Sequence, residues 1–579
     1  MQRHLGQAST TGATAGWYAP LYRRRGTPDP IGGAATLPAL NRRHAPRWLG
    51  LLAFALLTLP TQPLPAQVHA PALPEATRAR LDQAVDTVMA RYTLPGIAVG
   101  VIEHGQVVYT RTVGERIAGS GQAIDARTLF KIASNSKAMT TALLGRLVDQ
   151  GKLRWDDPVT KYLPQFQMHD PWVTANMRVA DLLTHSSGLP LGGGDLMLWP
   201  EPNAFTAADI IHGLRYIAPA YSFRSRYEYD NLLYVVAGAV AAAAGGAPYA
   251  TLMRREVFAP LGLDRCQVGS WNRDAVGDVA QPHYLKDGRN IPLGEDGAVI
   301  PALTSDPAGG IRCDLTDMLQ WARNWLVPSH AQLQWLSPVQ RDVLQAPHML
   351  IPVSTQRRLR DDTHVMAYGY GWRMADVDGR WMVWHTGTLS GMYSMLALFP
   401  DQQGGFVFMI NGNGGAAREV LGDVLTKHFT KPADTHDAAW YADALDQANA
   451  RRVAAAKAPT ETPTAVPAGE VAAWTGIYRD PWLGEMSICP QGEAVRLAVV
   501  KSPRLAGPIM RLGGRLLVHW ADSGVYPDAW LDFQAATGSA PITLRMAKVD
   551  PLADFSSDYE DLHFQRIGAC PAPTSTSQH

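Results

Sequence analysis

The sequence lacks an excess of charge of either sign and contains few cysteines. Its 52 lysine and arginine residues balance 52 aspartate and glutamate residues, so no positive field favours nucleic acid. The cysteines are too far apart in the chain for the ligand spacing of a zinc site. Neither a nucleic-acid partner, a metal nor a cofactor is therefore predicted. The four cysteines are Cys266, Cys313, Cys489 and Cys570.

The sequence also lacks Gly-x-Ser-x-Gly, the nucleophile turn of α/β-hydrolases. A glycine-rich stretch at residues 412–417 is similar to a dinucleotide-binding fingerprint. Because the strand before it belongs to a predicted antiparallel hairpin and not to a βαβ unit, it does not predict nucleotide binding. The apolar run at residues 48–59 is too short to span a bilayer comfortably.

Residues 42–70 have the order of a signal peptide: a basic segment, an apolar run, then prolines and small residues. Cleavage is expected near Ala66 or Ala70, which predicts a periplasmic or secreted protein. Residues 1–41 are rich in glycine, alanine, threonine, proline and arginine. They are interpreted as a disordered extension or as a translation start placed too far upstream.

A serine and a lysine three residues apart, Ser134 and Lys137, stand where an apolar stretch gives way to a helical pattern. Such residues share a helix face with Cβ atoms about 5–6 Å apart, so the amine can act on the hydroxyl. A serine hydroxyl needs a neighbouring base to become a nucleophile, and a helix N-terminus favours the negative charge that develops. Alone, the common pattern also fits a solvated helix start.

A second polar segment contains Tyr229 and Asn231 and precedes an apolar run at residues 232–244. A loop before a buried helix would deliver these side chains into a pocket. A phenol near an ammonium group can have a lowered pKa and shuttle protons, and an asparagine amide both donates and accepts. An interfacial tyrosine and a helix-capping asparagine are the alternative. The neighbouring carboxylates of Glu228 and Asp230 are either solvated or favour a cationic amine substrate.

A third segment follows a strand-like apolar run at residues 381–384. It consists of His385, Thr386, Gly387 and Thr388. Glycine on a strand lets a ligand approach the backbone closely, so a substrate carbonyl could lie along this edge. The backbone N–H groups of Thr388 and Ser134 would then form an oxyanion hole. Alone, this segment is better explained by a tryptophan-rich strand with an ordinary turn.

Together, and in this order, the three segments resemble the serine β-lactamase and penicillin-binding family. The closer match is the class C branch, which also holds D-alanyl-D-alanine carboxypeptidases, D-stereospecific aminopeptidases and esterases. Residues 182–190, Leu-Leu-Thr-His-Ser-Ser-Gly-Leu-Pro, and residues 308–311, Ala-Gly-Gly-Ile, support the resemblance. It covers residues 75–430 and implies an α+β fold, with an antiparallel sheet flanked by helices and an all-helical insertion near residues 140–310.

The resemblance also implies roles. Ser134 would be the nucleophile that forms an acyl-enzyme, with Lys137 and Tyr229 moving protons. Which of the two is the base stays open, and the pair could titrate as a unit. Asn231 would orient a substrate amide. His385 stands where β-lactamases usually carry lysine, and histidine is only partly charged near neutral pH. Weak or no β-lactamase activity is therefore predicted.

The predicted function is an exported serine hydrolase acting on a small peptide, amide or ester substrate, of the D-amino acid peptidase, carboxypeptidase or esterase type. Association with the cell wall is a further expectation. The alternative is a catalytically quiet protein of the same fold that acts as a binding or scaffolding module.

After residue 430 the composition changes. Residues 431–469 are predicted to form an alanine-rich helix and a Pro/Thr/Ala linker. Residues 470–570 alternate like short strands, typical of a small all-β barrel or sandwich, and residues 571–579 form a tail. The β-domain resembles one often attached to such hydrolases, where it would support packing, shape the substrate cleft or bind a partner.

Four cysteines allow three disulfide pairings. A bond between Cys266 and Cys313 would lie within the larger domain. A bond between Cys489 and Cys570 would staple the C-terminal domain.

Overall fold

The structure is a computed structural model that describes residues 73–571, except 295, 457, 458, 460, 523, 526 and 537. The predictions for residues 1–41, for the signal-peptide region 42–70 and for the tail after Pro571 lie outside the described residues.

The larger domain is built on an eight-stranded antiparallel sheet. In the strand Gly96–Glu103, Ile97 and Val99 face one apolar core while Ala98 faces another. Successive side chains of a strand project to opposite faces, so this continuous apolar run indicates a sheet that is covered on both sides. In spatial order, the strands are Gln106–Gly114, Gly96–Glu103, Gly404–Ile410, Met392–Phe399, Arg380–Leu389, Arg373–Val377, Met366–Tyr368 and Met349–Ile351.

Two helices cover one face of this sheet. The helix Glu75–Arg91 buries Leu81, Val85 and Val88, a spacing that places them on one helix face. The helix Gly415–Thr430 joins the same core. The residue pattern predicts both helices, at residues 75–92 and 416–429, and two hairpins, which turn at residues 104–105 and 400–405. The structure confirms all four to within a few residues.

The other face carries a region of short helices around two buried ones, Leu232–Gly245 and Ser136–Asp149. The prediction of an all-helical insertion was wrong, because this region also contains short strand pairs. His283–Lys286 pairs with Arg289–Pro292 across Asp287 and Gly288, both with positive φ, and an Asp-Gly pair favours a two-residue β-turn. A second short pairing joins Trp271–Asn272 with Val299–Ile300.

The remaining helices of the larger domain are short. They are Pro171–Asn176, Ala207–Gly213, Tyr249–Met253, Ala259–Leu261, Arg273–Val276, Leu315–Leu326, His330–Trp335, Pro338–Leu344 and Thr355–Asp361. Within the described residues, no single helix is long and apolar enough to cross a membrane. The bent pair Leu232–Gly245 and Tyr249–Leu261 passes that test only when its two helices are taken together.

The C-terminal domain is a closed barrel of eight antiparallel strands, so the barrel and not the sandwich is confirmed. The helices Ala438–Ala456 and Ala468–Val471 precede it, and the short strand Thr464–Ala465 extends its sheet. The barrel strands are Gly476–Asp480, Gly484–Gln491, Ala494–Val499, Ala506–Leu512, Arg515–Val518, Ala529–Gln534, Thr543–Lys548 and Phe564–Gly568. Disulfide bonds join Cys266 to Cys313 in the larger domain and Cys489 to Cys570 in the barrel domain.

Candidate active site

Ser134 lies in a short 3-10 turn, Ala133–Asn135, that leads directly into the helix Ser136–Asp149. The first residue of this turn has a φ of +51°, a left-handed conformation that costs a non-glycine residue about 1–3 kcal/mol. Contacts with the sheet hold the turn in place. Asn135 Nδ2 donates to Ser394 Oγ at 2.8 Å, and Ser394 Oγ donates to the carbonyl oxygen of Ile132 at 2.7 Å.

Lys137 lies one helical turn after Ser134 and is fully buried. Its Nζ atom is 3.2 Å from Ser134 Oγ, 2.7 Å from Asn231 Oδ1 and 2.8 Å from the carbonyl oxygen of Ala308. The structure therefore brings together the serine and lysine of the first predicted segment and the asparagine of the second. Ala308 begins the Ala-Gly-Gly-Ile stretch, so this motif supplies a backbone acceptor for the lysine.

Burial lowers the pKa of Lys137 to about 7. Charged neighbours act in both directions: the carboxylates of Asp195 and Asp230 raise the pKa, whereas the guanidinium of Arg373 lowers it. Near neutral pH, a substantial fraction of Lys137 is consequently in the neutral amine form, the form that can accept a proton.

Tyr229 is also buried at this site. Its ring centroid is 5.0 Å from Lys137 Nζ, and interaction with the Ser134 side chain acts to lower its pKa. The lowered pKa expected for a phenol near an ammonium group is not found. Burial raises the pKa of Tyr229 to about 12 and outweighs the opposing charge of Arg373. The phenol therefore stays protonated near neutral pH.

An aromatic cluster holds Tyr229 in place. His185, from the motif at residues 182–190, lies with its ring centroid 4.1 Å from that of Tyr229 and 4.5 Å from that of Tyr368. Its Nδ1 atom accepts the backbone N–H of Asp230 at 3.2 Å. Burial lowers the pKa of His185 well below its usual value. The imidazole is therefore a neutral packing and hydrogen-bonding partner for the loop that carries Tyr229.

The two carboxylates that flank Tyr229 both contact neighbouring protein groups, and a preference for a cationic amine stays a prediction. Asp230 is buried and accepts the Ser187 hydroxyl at 3.3 Å and the backbone N–H of Leu233 at 3.2 Å. Glu228 forms an ion pair with Arg226. Both acidic groups are thus engaged by neighbouring residues of the protein.

Asn231 links Lys137 to a carboxylate that the sequence analysis did not identify. Its Nδ2 atom donates to Asp195 Oδ2 at 2.8 Å. The same oxygen accepts the hydroxyl of Ser556, from the C-terminal barrel domain, at 2.7 Å. Both ends of the Asn231 amide are therefore bonded to protein groups, and its role in orienting a substrate amide stays a prediction.

The third predicted segment lies on the strand Arg380–Leu389, and its first residue is uncharged. His385 is fully buried. Its Nδ1 atom lies 2.7 Å from the carbonyl oxygen of Thr386, which can only accept, so Nδ1 carries the hydrogen. Its Nε2 atom is 3.0 Å from the hydroxyl of Tyr368. Burial lowers the pKa of His385 well below its usual value, so the imidazole is neutral.

Gly387 brings this strand against the turn that carries Ser134. A Cβ atom at this position would clash with the carbonyl oxygen of Ile132 and would lie 3.0 Å from Ala133 Cβ. Only glycine allows so close an approach. The next residue, Thr388, is exposed, and its hydroxyl accepts from Arg418 Nη1 at 2.6 Å.

A cation from the neighbouring strand, missed by the sequence analysis, lies beside this segment. Arg373 Nη1 donates to Thr386 Oγ1 at 3.2 Å, and the guanidinium carbon is 5.4 Å from the Tyr229 ring centroid. Arg373 pairs across the sheet with Trp384, two residues before Thr386. Nothing in the local sequence around Arg373 distinguishes it from a surface arginine.

Comparison with known proteins places this geometry in a family. The Beta-lactamase family model matches residues 81–426. Unguisins hydrolase ungD' from Aspergillus campestris is 25% identical over 430 residues, which cover 70% of this chain and 76% of that protein. The D-alanyl-D-alanine-carboxypeptidase/endopeptidase AmpH of Escherichia coli is 25% identical over 346 residues, covering 58% and 84%. Esterase EstB of Burkholderia gladioli is 31% identical over 237 residues, covering 38% and 59%.

A solved structure shares the fold. The octameric penicillin-binding protein homologue from Pyrococcus abyssi superposes with a TM-score of 0.54 at 18% identity, covering 84% of this chain and 99% of that chain. The protein therefore belongs to the Beta-lactamase family, a family of hydrolases, and has the β-lactamase/transpeptidase-like fold with an added C-terminal barrel. The family resemblance and the predicted fold class are confirmed.

Proposed function

We propose that the protein is a serine hydrolase that cleaves amide or ester bonds of small substrates through an acyl-enzyme at Ser134. The observation that carries this proposal is the environment of Lys137 Nζ. Two of its three partners, Asn231 Oδ1 and the carbonyl oxygen of Ala308, can only accept hydrogen bonds. They take both hydrogens of the neutral amine, so its lone pair faces Ser134 Oγ at 3.2 Å.

In the proposed reaction, Ser134 Oγ attacks the substrate carbonyl carbon while its proton passes to Lys137 Nζ. The backbone N–H groups of Ser134 and Thr388 stabilise the resulting oxyanion. As the bond to the leaving group breaks, the Tyr229 hydroxyl donates its proton to the leaving nitrogen or oxygen, and the proton held by Lys137 replaces it. A water molecule then cleaves the acyl-enzyme by the same steps in reverse.

The raised pKa of Tyr229 and the lowered pKa of Lys137 support this division of roles. A base works best when its pKa lies near the working pH, and the pKa of Lys137 is about 7. A phenol with a pKa of about 12 is mostly protonated and suits the acid role. Activity is expected to rise with pH through the pKa of Lys137, because only the neutral amine accepts the serine proton.

Relatives named as a carboxypeptidase/endopeptidase and an esterase favour a peptide, amide or ester substrate. Because His385 is neutral, we expect weak or no turnover of penicillins. The signal-peptide pattern of residues 42–70 supports export to the periplasm or the exterior, where association with the cell wall would bring peptide substrates within reach.

Covalent labelling tests the proposal. The intact protein is incubated with a fluorophosphonate and the modified residue is identified by mass spectrometry. We expect label on Ser134 that Ser134→Ala abolishes and that Ser120→Ala, a change at an exposed serine, leaves in place. A folded wild-type protein that takes no label would refute the hydrolase and favour the catalytically quiet binding or scaffolding module.

A further inference from the structure

We propose that the C-terminal barrel domain sets the protonation state of Lys137 through a chain of hydrogen bonds that begins at Ser556. The chain passes from Ser556 to Asp195 and then through Asn231 to the lysine. The inference rests on the proposed function, in which Lys137 must be neutral to accept the serine proton. It assigns positioning roles to two residues, Ser556 and Asp195, that do not touch the reacting atoms.

Each hydrogen bond in this series is short. Ser556 Oγ donates to Asp195 Oδ2 at 2.7 Å, and Asn231 Nδ2 donates to the same oxygen at 2.8 Å. At its other end, the Asn231 amide accepts from Lys137 Nζ at 2.7 Å. Ser556 and Asp195 are 361 residues apart in the chain. The barrel is thus connected to the proposed base by three consecutive hydrogen bonds.

The segment that carries Ser556 is held firmly against the larger domain. Residues 550–562, called the barrel loop, connect the last two barrel strands. Asp558 Oδ2 in this loop accepts the backbone N–H of Gly194 at 2.5 Å. A Cβ atom on Gly192 would lie 2.7 Å from the Phe555 ring, so the loop 192–195 and the barrel loop approach as closely as glycine permits. Ser556 is consequently fixed at Asp195.

The pKa of Asp195 is sensitive to the loss of a hydrogen bond because this carboxyl group is fully buried. Within the part of the chain that the structure describes, its second oxygen, Oδ1, has no hydrogen-bond partner. Burial raises the pKa of Asp195 to about 7, while the donors Ser556 and Asn231 lower it by stabilising the carboxylate. Removing the Ser556 hydroxyl therefore favours the protonated, neutral form of Asp195.

The charge of Asp195 is transmitted to Lys137, since this carboxylate is the main charge that raises the lysine pKa. When Asp195 is neutral, the pKa of Lys137 is lower than with a charged Asp195, and the amine loses its proton at a lower pH. Other polar groups also surround Lys137, and all of them lie in the larger domain. They are Asp230, Arg373, Tyr229, Tyr234, His185 and His385.

The pH profile of the full-length protein tests the inference. The second-order rate of Ser134 labelling by a fluorophosphonate is measured between pH 5 and pH 9 for wild type, Ser556→Ala, Ser556→Thr and Asp195→Asn. We expect the acid limb of Ser556→Ala to move to lower pH by about half a unit and that of Asp195→Asn by about one unit. Ser556→Thr keeps the hydroxyl and restores the wild-type limb.

Thermal unfolding shows whether each variant is folded. If Ser556→Ala does not fold, the pH profile of Asp195→Asn tests the inference instead. An unmoved acid limb in a folded variant overturns the inference while leaving the hydrolase proposal intact. A labelling rate that falls by the same factor at every pH also overturns the inference and leaves the hydrolase proposal intact. Loss of a merely structural contact would lower the rate without moving the acid limb. A wild-type protein that takes no label at any pH overturns both proposals.

Discussion

The candidate site has two walls that acquire their charge in different ways. The first wall is the turn and helix that carry Ser134 and Lys137, and the second wall is the strand that carries His385. On the first wall, Ser134 and Lys137 come from one turn of chain, three residues apart, and the Oγ and Nζ atoms lie 3.2 Å from each other. On the second, the residue at the expected cationic position is a neutral imidazole. Its neighbour Thr386 instead receives a guanidinium from Arg373 on the adjacent strand.

This difference shows that a local motif can be identified from the spacing of its residues, whereas a contact between two strands depends on how the sheet pairs. Helix geometry places residues i and i+3 together whatever lies elsewhere in the chain. The position of Arg373 depends on its pairing with Trp384 across two strands. The positive charge of the second wall also reaches the first, because Arg373 lowers the pKa of Lys137. The two walls are therefore electrostatically coupled.

Removing the proposed base, Lys137, from the first wall should have the largest effect. Lys137→Met keeps the apolar stem but cannot accept the serine proton, and losing a general base costs about 10²–10⁴-fold in rate. We expect kcat/KM for p-nitrophenyl acetate to fall by about 10³-fold. Lys131→Met is the control, because the Nζ atom of Lys131 lies 3.6 Å from Glu201 Oε2 and pairs with that carboxylate. If Lys137→Met kept more than a tenth of wild-type activity, the contrast between the walls would not hold.

Moving the second wall away from the first should have an intermediate effect. In Gly387→Ala, the added methyl group meets the carbonyl oxygen of Ile132 and pushes the strand away from Ser134. A displacement of about 1 Å can cost about 10²-fold in rate, and we expect a loss of that order in kcat/KM. Gly469→Ala, at a position with open space around the missing Cβ, is the control. Equal activity of the two variants would contradict the proposed oxyanion hole.

Neutralising Arg373 beside the second wall should have the smallest effect. Arg373→Met removes a positive charge that lowers the pKa of Lys137, so the lysine pKa rises and the amine becomes neutral only at higher pH. We expect the acid limb of kcat/KM to move to higher pH by about half a unit, opposite in direction to Ser556→Ala. Arg373→Lys, which retains the charge, should leave the limb close to its wild-type position. A shift to lower pH would refute the coupling of the walls.

Much of the fold was predictable because its elements have clear periodicity. The buried face of Glu75–Arg91 repeats at helical spacing, and the paired apolar runs around residues 400–405 form the predicted hairpin. The prediction was wrong at the hairpin His283–Lys286 with Arg289–Pro292, where strands of four residues are too short for alternation to be seen. There, the Asp287-Gly288 turn was the only available signal.

The candidate site was predictable only where its residues carry a local pattern. Ser134 and Lys137 are marked by their spacing, and Tyr229 by its place before a buried helix. The site residues themselves stay predictions until chemistry tests them. Arg373 and Ser556 have no such pattern, because each acquires its role from a partner on another element.

The amino-acid sequence by itself determined much of the secondary structure, the family and the order of the three candidate-site segments, because these depend on residue types at short separations. Only the tertiary structure decided that position 385 is neutral, that the closed barrel reaches Asp195, and that Lys137 is desolvated. A pKa and a hydrogen-bond chain depend on burial and on distances between segments hundreds of residues apart, and no local spacing encodes those distances.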